Sequence, residues 1–145
     1  MKKIIAVLAL VAAGTTAAFA GPIEDRENVM KQLQAVMKAG LPISQGKEPF
    51  DAAKVKGLVD PLVVGAEKFG TLFPKGTEPG NGTTKTQATA AVWSDAAGFK
   101  AANAKFVTDV KGLAAAKDQA GFTAAFKTLQ SGCAGCHKVY RGPAS

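Results

Sequence analysis

Histidine and cysteine are nearly absent from this chain of 145 residues, which has one histidine, His137, and two cysteines, Cys133 and Cys136. A second histidine ligand to any bound metal is therefore excluded. A zinc site is also excluded, because Zn²⁺ takes four ligands and no Cys or His exists beyond these three. No strand pattern accompanies the cysteines, which disfavours a thioredoxin-like fold. A disulfide between residues three apart closes too small a loop to stabilise the chain much.

Aromatic side chains and long apolar runs are also scarce. The chain has eight Phe, one Tyr and one Trp, so a domain of this size buries only a modest core from its own side chains. Residues 4–13 are apolar but fall short of the roughly 20 residues that a transmembrane helix needs. A basic start and an Ala-Phe-Ala sequence before Gly21 accompany that run. The pattern predicts a secretory signal peptide over residues 1–20 and one exported domain, without a membrane span, over residues 21–145.

Basic residues outnumber acidic ones, 18 to 11, which gives a formal net charge of +7. Two of these charges, Lys2 and Lys3, leave with the predicted signal peptide, so the exported domain keeps +5. The basic residues are dispersed and the compartment is extracytoplasmic, so nucleic acid is not an expected partner. This net positive charge favours encounter with acidic proteins or anionic surfaces.

The two cysteines and the histidine stand together in the sequence Cys133-Ala-Gly-Cys-His137. Cys-x-x-Cys-His is the attachment signature of c-type haem. The two thiols add to the two vinyl groups of haem, and the following imidazole binds the iron. His137 is therefore the predicted proximal ligand, and one covalent haem c is the expected cofactor. Attachment of this kind takes place outside the bacterial cytoplasmic membrane, which agrees with the predicted export.

Apolar residues recur at helical spacing, and we predict four helices joined by Gly- and Pro-rich loops. Their predicted bounds, in chain order, are Pro22 to Gly40, Asp51 to about Phe73, Ser94 or Asp95 to about Ala116, and Asp118 to the attachment motif. Gly40 followed by Pro42 is the predicted stop of the first helix. Pro61 predicts either a kink in the second helix or its division into two shorter ones, with Asp60 as the second cap.

The haem-attachment motif lies on the last of the four predicted helices, near the carboxyl end of the chain. The characteristic segments that lead up to the motif and include it are, in order, Arg26-Glu-Asn-Val-Met30, Lys47-Glu-Pro-Phe-Asp51, Phe73-Pro-Lys-Gly-Thr77, Val92-Trp93 followed by Phe99, and Cys133-Ala-Gly-Cys-His-Lys-Val-Tyr-Arg141. In this order they resemble the class II cytochromes c, which include cytochrome c′ and its low-spin relatives. The resemblance implies an all-α fold, an antiparallel four-helix bundle with haem near one end.

The same resemblance implies roles for individual residues. Arg26 is expected to lie close to a haem propionate, Arg141 near the proximal face of the haem, and Met30 at the distal position. Many relatives pair through their first two helices, and the sequence leaves both a monomer and a homodimer open.

The sixth ligand of the iron decides the function. Without Met1, the methionines are Met30 and Met37, and a thioether sulfur that binds haem iron raises its reduction potential. Met30 is the favoured ligand, because it matches the distal position of the family. A haem held by His137 and Met30 predicts a periplasmic one-electron carrier that serves redox partner proteins.

A different function follows if Met30 only packs beside the iron. The haem would then be five-coordinate, and the chain would be a cytochrome c′ that binds nitric oxide or carbon monoxide. An enzyme such as a peroxidase is not expected, because it would need a distal acid-base group. No second histidine exists, and Glu27 lies only at the edge of the helix face that carries Met30.

Overall fold

Four long helices form the fold. The computed structural model describes residues 21–82 and 85–143, and the predicted signal peptide over residues 1–20 lies outside them. The helices, in chain order, are α1 (Pro22–Ser44), α2 (Ala52–Phe69), a single turn α3 (Ala91–Ser94), α4 (Ala96–Ala114) and α5 (Gln119–Tyr140). α1 packs against α2 and α5, and α4 packs against the same two helices. The predicted all-α four-helix bundle is confirmed.

Aspartate side chains begin three of the long helices. Asp51 accepts a hydrogen bond from the amide of Lys54 at 2.7 Å, and Asp118 accepts one from the amide of Gly121 at 2.7 Å. Asp95 does the same for α4. These carboxylates satisfy amide groups that have no partner inside the helix. The predicted helix starts at Asp51, Asp95 and Asp118 are confirmed.

The predicted end of the first helix is wrong. α1 continues through Gly40 and Pro42 to Ser44. Gly40 is buried, and its backbone lies directly against aromatic rings of α5, so it is a packing residue. The chain turns instead at Gly46, where φ is +69°, and the amide of Lys47 donates to the Pro42 carbonyl at 2.9 Å. Glycine adopts positive φ without steric cost, so Gly46 is the residue that ends the helix.

α2 is one continuous helix across Pro61, so of the two alternatives the division into two shorter helices is wrong. Asp60 lies inside this helix and so caps no second one, and its carboxylate accepts a hydrogen bond from Lys56 at 2.6 Å. Val59 and Leu62 stand on either side of the proline, and each is 0% exposed. The apolar face therefore continues past Pro61 and holds the helix against the core. α2 ends at Phe69, before the predicted end at Phe73.

The apolar stripe of α5 carries the attachment motif towards the bundle interior. Phe122, Phe126 and Leu129 are each 1% exposed and belong to the central core. Cys133 follows one turn later and packs against the same core while remaining partly exposed. Because residues four apart share a helix face, the core stripe of α5 directs Cys133 towards the interior of the bundle. None of the described helices is long and apolar enough to cross a membrane.

Candidate haem site

A cavity of about 400 Å³ lies at one end of the bundle. Its walls come from the first half of α1, the end of α2, α4 and the second half of α5, together with residues 86–88. Cys133, Cys136 and His137 line it from α5, and Met30 lines it from α1. The structure therefore gathers in one cavity the attachment motif and the favoured sixth ligand, which are separated by more than half of the chain.

The α5 wall presents two free thiols and an imidazole. Cys133 and Cys136 are both partly buried, and burial is the main cause that raises the pKa of each thiol. Burial also lowers the pKa of His137, and the nearby charge of Arg141 lowers it further. A lowered pKa favours the neutral imidazole, which is the form that binds a metal.

The two methionines of the described chain occupy different surroundings. Both are partly buried and pack against the hydrophobic core, but Met30 lines the cavity and Met37 does not. Val29 and Leu33 flank Met30 on α1, and each is 7% exposed. The buried neighbours fix the helix, so the position of Met30 relative to His137 is set by core packing.

Arg26 is buried, and the chain segment after α2 engages its guanidinium group. Nε donates to the Leu72 carbonyl at 2.6 Å, Nη1 donates to Thr86 Oγ1 at 3.3 Å, and Nη2 donates to Thr77 Oγ1. The guanidinium carbon lies 4.1 Å from the centroid of the Phe73 ring, a cation–π arrangement. Burial lowers the pKa of Arg26 to about 10, so the group stays charged at neutral pH.

Arg26 also lines the cavity. Among the ion pairs of residues 21–82 and 85–143 there is none that joins Arg26 to a carboxylate. A buried cation is stable only when hydrogen bonds or an anion compensate for lost hydration. The loop supplies hydrogen bonds and, through Glu78, a negative charge that raises the pKa of Arg26, but that carboxylate forms no ion pair with the guanidinium group. The expected contact with a haem propionate is compatible with this position and stays a prediction.

Arg141 follows α5 directly and lies in the cavity wall. Its amide donates to the His137 carbonyl at 3.3 Å, and its Nε donates to Gln87 Oε1 at 2.9 Å. A single β-bridge joins it to Ala88. Arg141 therefore ties the end of the motif-bearing helix to the segment that precedes α3. Its expected contact with the proximal face of the haem stays a prediction.

Aromatic rings line the end of the cavity near α2 and α4. Phe73 lies with its ring centroid 4.7 Å from that of Phe99, and Phe99 lies 5.3 Å from Tyr140. Both pairs are edge-to-face, the arrangement that aromatic quadrupoles favour. The Tyr140 hydroxyl donates to Asp95 at 2.7 Å, which is the main cause that raises the pKa of Tyr140. This hydrogen bond links the start of α4 to the end of α5.

Sequence reasoning missed three polar residues of α4 that line the cavity, Asn103, Lys105 and Asp109. Asn103 Oδ1 is a buried acceptor without a hydrogen-bond partner among the described residues. Asp109 is buried beside the apolar stripe that includes Val110. The sequence did contain a signal for Asp109, because a carboxylate next to a core position such as Val110 is uncommon unless it is paired.

The residues of this cavity fit a covalently attached haem. Two thiols and an imidazole share one wall, a thioether is available from α1, and the remaining walls are largely apolar. The volume of about 400 Å³ falls within the range of roughly 300–1,000 Å³ that is typical of ligand and cofactor sites. The unpaired charge of Arg26 offers a partner for an anionic substituent.

Comparisons with known proteins agree with this assignment. Cytochrome c-556 from Agrobacterium fabrum is 42% identical over 124 residues, covering 84% of this chain and 82% of that protein. Cytochrome c′ from Rubrivivax gelatinosus is 45% identical over 103 residues, covering 68% of this chain and 77% of that protein. A crystal structure of cytochrome c′ from the same organism superposes with a TM-score of 0.72 and 35% identity, covering 83% of this chain and 94% of that one.

The family model described as Cytochrome C′ matches residues 21–141, nearly all of the described chain. The match includes Arg26, Met30, the attachment motif and Arg141. The chain therefore belongs to the cytochrome c′ family, the class II cytochromes c, and its cofactor is covalent haem c.

Proposed function

We propose that the protein is a periplasmic one-electron carrier, in which His137 and Met30 hold the iron of a haem c bound to Cys133 and Cys136. The observation that carries this proposal is that Met30 and the attachment motif line one cavity, while Met37 does not. Haem c supplies the one-electron redox chemistry. The chain supplies the two thiols, the two ligands and an apolar enclosure.

The packing of α1 suits a permanent ligand. Met30 lies between buried core residues on a helix of 23 residues, so its side chain needs no loop movement to reach the cavity. Retention of both ligands in both oxidation states keeps reorganisation small during electron transfer. A thioether ligand also raises the reduction potential. These properties favour electron transfer over reversible binding of small molecules.

Two arginines complete the proposed site. Arg26 is assigned to a haem propionate, because it is a buried cation in the cavity wall and no carboxylate of the described residues pairs with it. A guanidinium group suits a carboxylate geometrically. Arg141 is assigned to the proximal side, because it lies one turn after His137 in the same wall.

The charge distribution favours acidic redox partners. Residues 22–69 contain seven acidic and seven basic residues, whereas residues 95–141 contain three acidic and seven basic residues. The half of the chain that carries the haem is therefore the basic half. Complementary charge accelerates encounter between proteins, so we infer that the partners present acidic surfaces to α4 and α5.

The alternative function is binding of nitric oxide or carbon monoxide by a five-coordinate haem. Solved structures of cytochrome c′ from Alcaligenes xylosoxidans include a nitrosyl complex and a carbon monoxide complex of variant proteins. That function applies here only if Met30 packs beside the iron without binding it.

Substitution of each methionine distinguishes the two functions. Met30→Ala should convert the haem to a five-coordinate form that binds carbon monoxide at once, and it should lower the reduction potential. Met37→Ala is the matched control, since Met37 is also partly buried against the core but does not line the cavity. It should leave the visible spectrum unchanged. An unchanged spectrum in Met30→Ala would remove Met30 as a ligand and favour the gas-binding function.

A further inference from the structure

Asp109 is the one carboxylate residue that is buried among residues 21–82 and 85–143. Its side chain is 6% exposed, and it lies on α4 in the wall of the haem cavity. No role in holding haem was expected of it. A buried carboxylate is costly because it loses hydration, so its presence in this wall needs an explanation.

The negative charge of Asp109 is only partly neutralised by its surroundings. Lys105, one turn earlier on α4, donates to both carboxylate oxygens at 2.9 and 2.7 Å. The Lys105 side chain is 58% exposed, so solvent weakens its share of the pair. Within the described residues no other group donates a hydrogen bond to Asp109. The negative charge is buried, whereas its positive partner is largely in water.

The carboxylate also lies unusually close to the motif-bearing helix. A Cβ atom added at Gly132 would stand 2.7 Å from Asp109 Oδ2. A side chain at position 132 would therefore force the carboxylate or the helix to shift, and the next residue is Cys133. Burial is the main cause that raises the pKa of the Cys133 thiol, and the negative charge of Asp109 raises it further. The charge of Asp109 therefore acts on this sulfur.

We propose that the buried Asp109 carboxylate lowers the reduction potential of the haem, and that Lys105 limits this effect. The proposal rests on the function proposed above, in that the site exchanges one electron. Reduction transfers one electron from a donor protein to the ferric site, which becomes ferrous and loses one unit of positive charge. A fixed negative charge in a low-dielectric wall opposes that change. A cation beside this negative charge, such as Lys105, weakens its effect on the reduction potential.

Reduction potentials of the haem-loaded protein and four variants test the proposal, with optical titration against a chemical reductant. Asp109→Asn keeps the shape of the side chain and removes its charge, so the potential should rise. Lys105→Gln should lower it. In the double variant, the change caused by Asp109→Asn should be larger than in the wild-type background. Glu67→Gln is the control: Glu67 of α2 pairs with Lys111 of α4 at 2.6 Å, but both side chains are about half exposed, at 49% and 52%.

The visible spectrum separates this proposal from the assignment of Met30. Loss of Met30 ligation changes the spectrum, whereas removal of a charge at Asp109 should shift the potential with the spectrum and helix content retained. If Asp109→Asn does not fold, the reduction potential of the Lys105→Gln variant alone decides the test, because the side chain of Lys105 is exposed. A potential in the folded variants equal to that of Glu67→Gln would overturn the proposal.

Discussion

Gly40 of α1 lies against the ring of Phe126 of α5, so closely that a Cβ atom at position 40 would stand 2.6 Å from ring carbon Cε2. The ring of Phe122 would be 3.2 Å from the same atom. Both rings are 1% exposed and belong to the central core. The absence of a side chain at Gly40 therefore sets how closely α1 and α5 approach.

Gly40→Ala should destabilise the protein despite the better helix propensity of alanine. Propensity alone favours alanine by about 1 kcal/mol, but forcing a methyl group into packed rings costs about 1–3 kcal/mol. We expect a net loss in the free energy of unfolding, measured by urea denaturation of the haem-loaded protein.

Gly57→Ala is the matched control for that substitution. Gly57 also lies inside a long helix, but an added Cβ there meets nothing within 4 Å. The propensity gain should then appear alone, as a stabilisation of about 0.5–1 kcal/mol. Equal effects at the two positions would contradict the packing argument.

Arg26→Lys should destabilise the segment between α2 and α3. Lysine keeps the charge but cannot reach the Leu72 carbonyl and the hydroxyls of Thr77 and Thr86 together, because it lacks the planar fork of arginine. Loss of buried hydrogen bonds to a charged group should cost about 2–3 kcal/mol in the free energy of unfolding.

Lys31→Gln provides the comparison for Arg26→Lys. Lys31 lies on the same helix in an exposed pair with Glu27 at 3.9 Å, and such pairs contribute about 0–1 kcal/mol. Thermal denaturation of both variants measures the difference. A loss in Arg26→Lys no greater than that in Lys31→Gln would show that the guanidinium bonds do not hold the loop.

Replacement of both motif cysteines, Cys133→Ser with Cys136→Ser, should yield a chain without covalent haem and with little helix. The haem supplies apolar surface for the walls of a cavity of about 400 Å³, and a domain of this size is stable by only about 5–15 kcal/mol. Circular dichroism in the far ultraviolet measures the helix content. A cooperative melting transition with native helix content in the variant would contradict this dependence on haem.

Local signals explain which parts of the fold were predictable from the sequence. Asp51 and Asp118 begin helices through bonds to amides three residues later, so their role can be read without knowledge of the tertiary structure. Gly40 could not be interpreted in this way. It resembles a stop signal, but its role depends on rings about 80 positions later in the chain. Pro61 likewise remains helical because the faces before and after it are buried together.

The candidate site also has parts that local sequence signals identified and parts that depend on the tertiary structure. The spacing of Cys133, Cys136 and His137 identified the attachment wall, and the family resemblance brought Met30 to it. The resemblance also singled out Arg26, which is buried in the wall of the same cavity. Its hydrogen-bond partners could not be predicted, because they belong to an irregular segment to which helical periodicity does not apply.

The visible absorption of the reduced, purified protein, with and without carbon monoxide, tests the central claim most directly. Ligation by His137 and Met30 predicts sharp α and β bands on reduction and no response to carbon monoxide, because no coordination position is open. A broad high-spin spectrum that shifts at once on addition of carbon monoxide would contradict the account and assign the protein to the gas-binding members of its family.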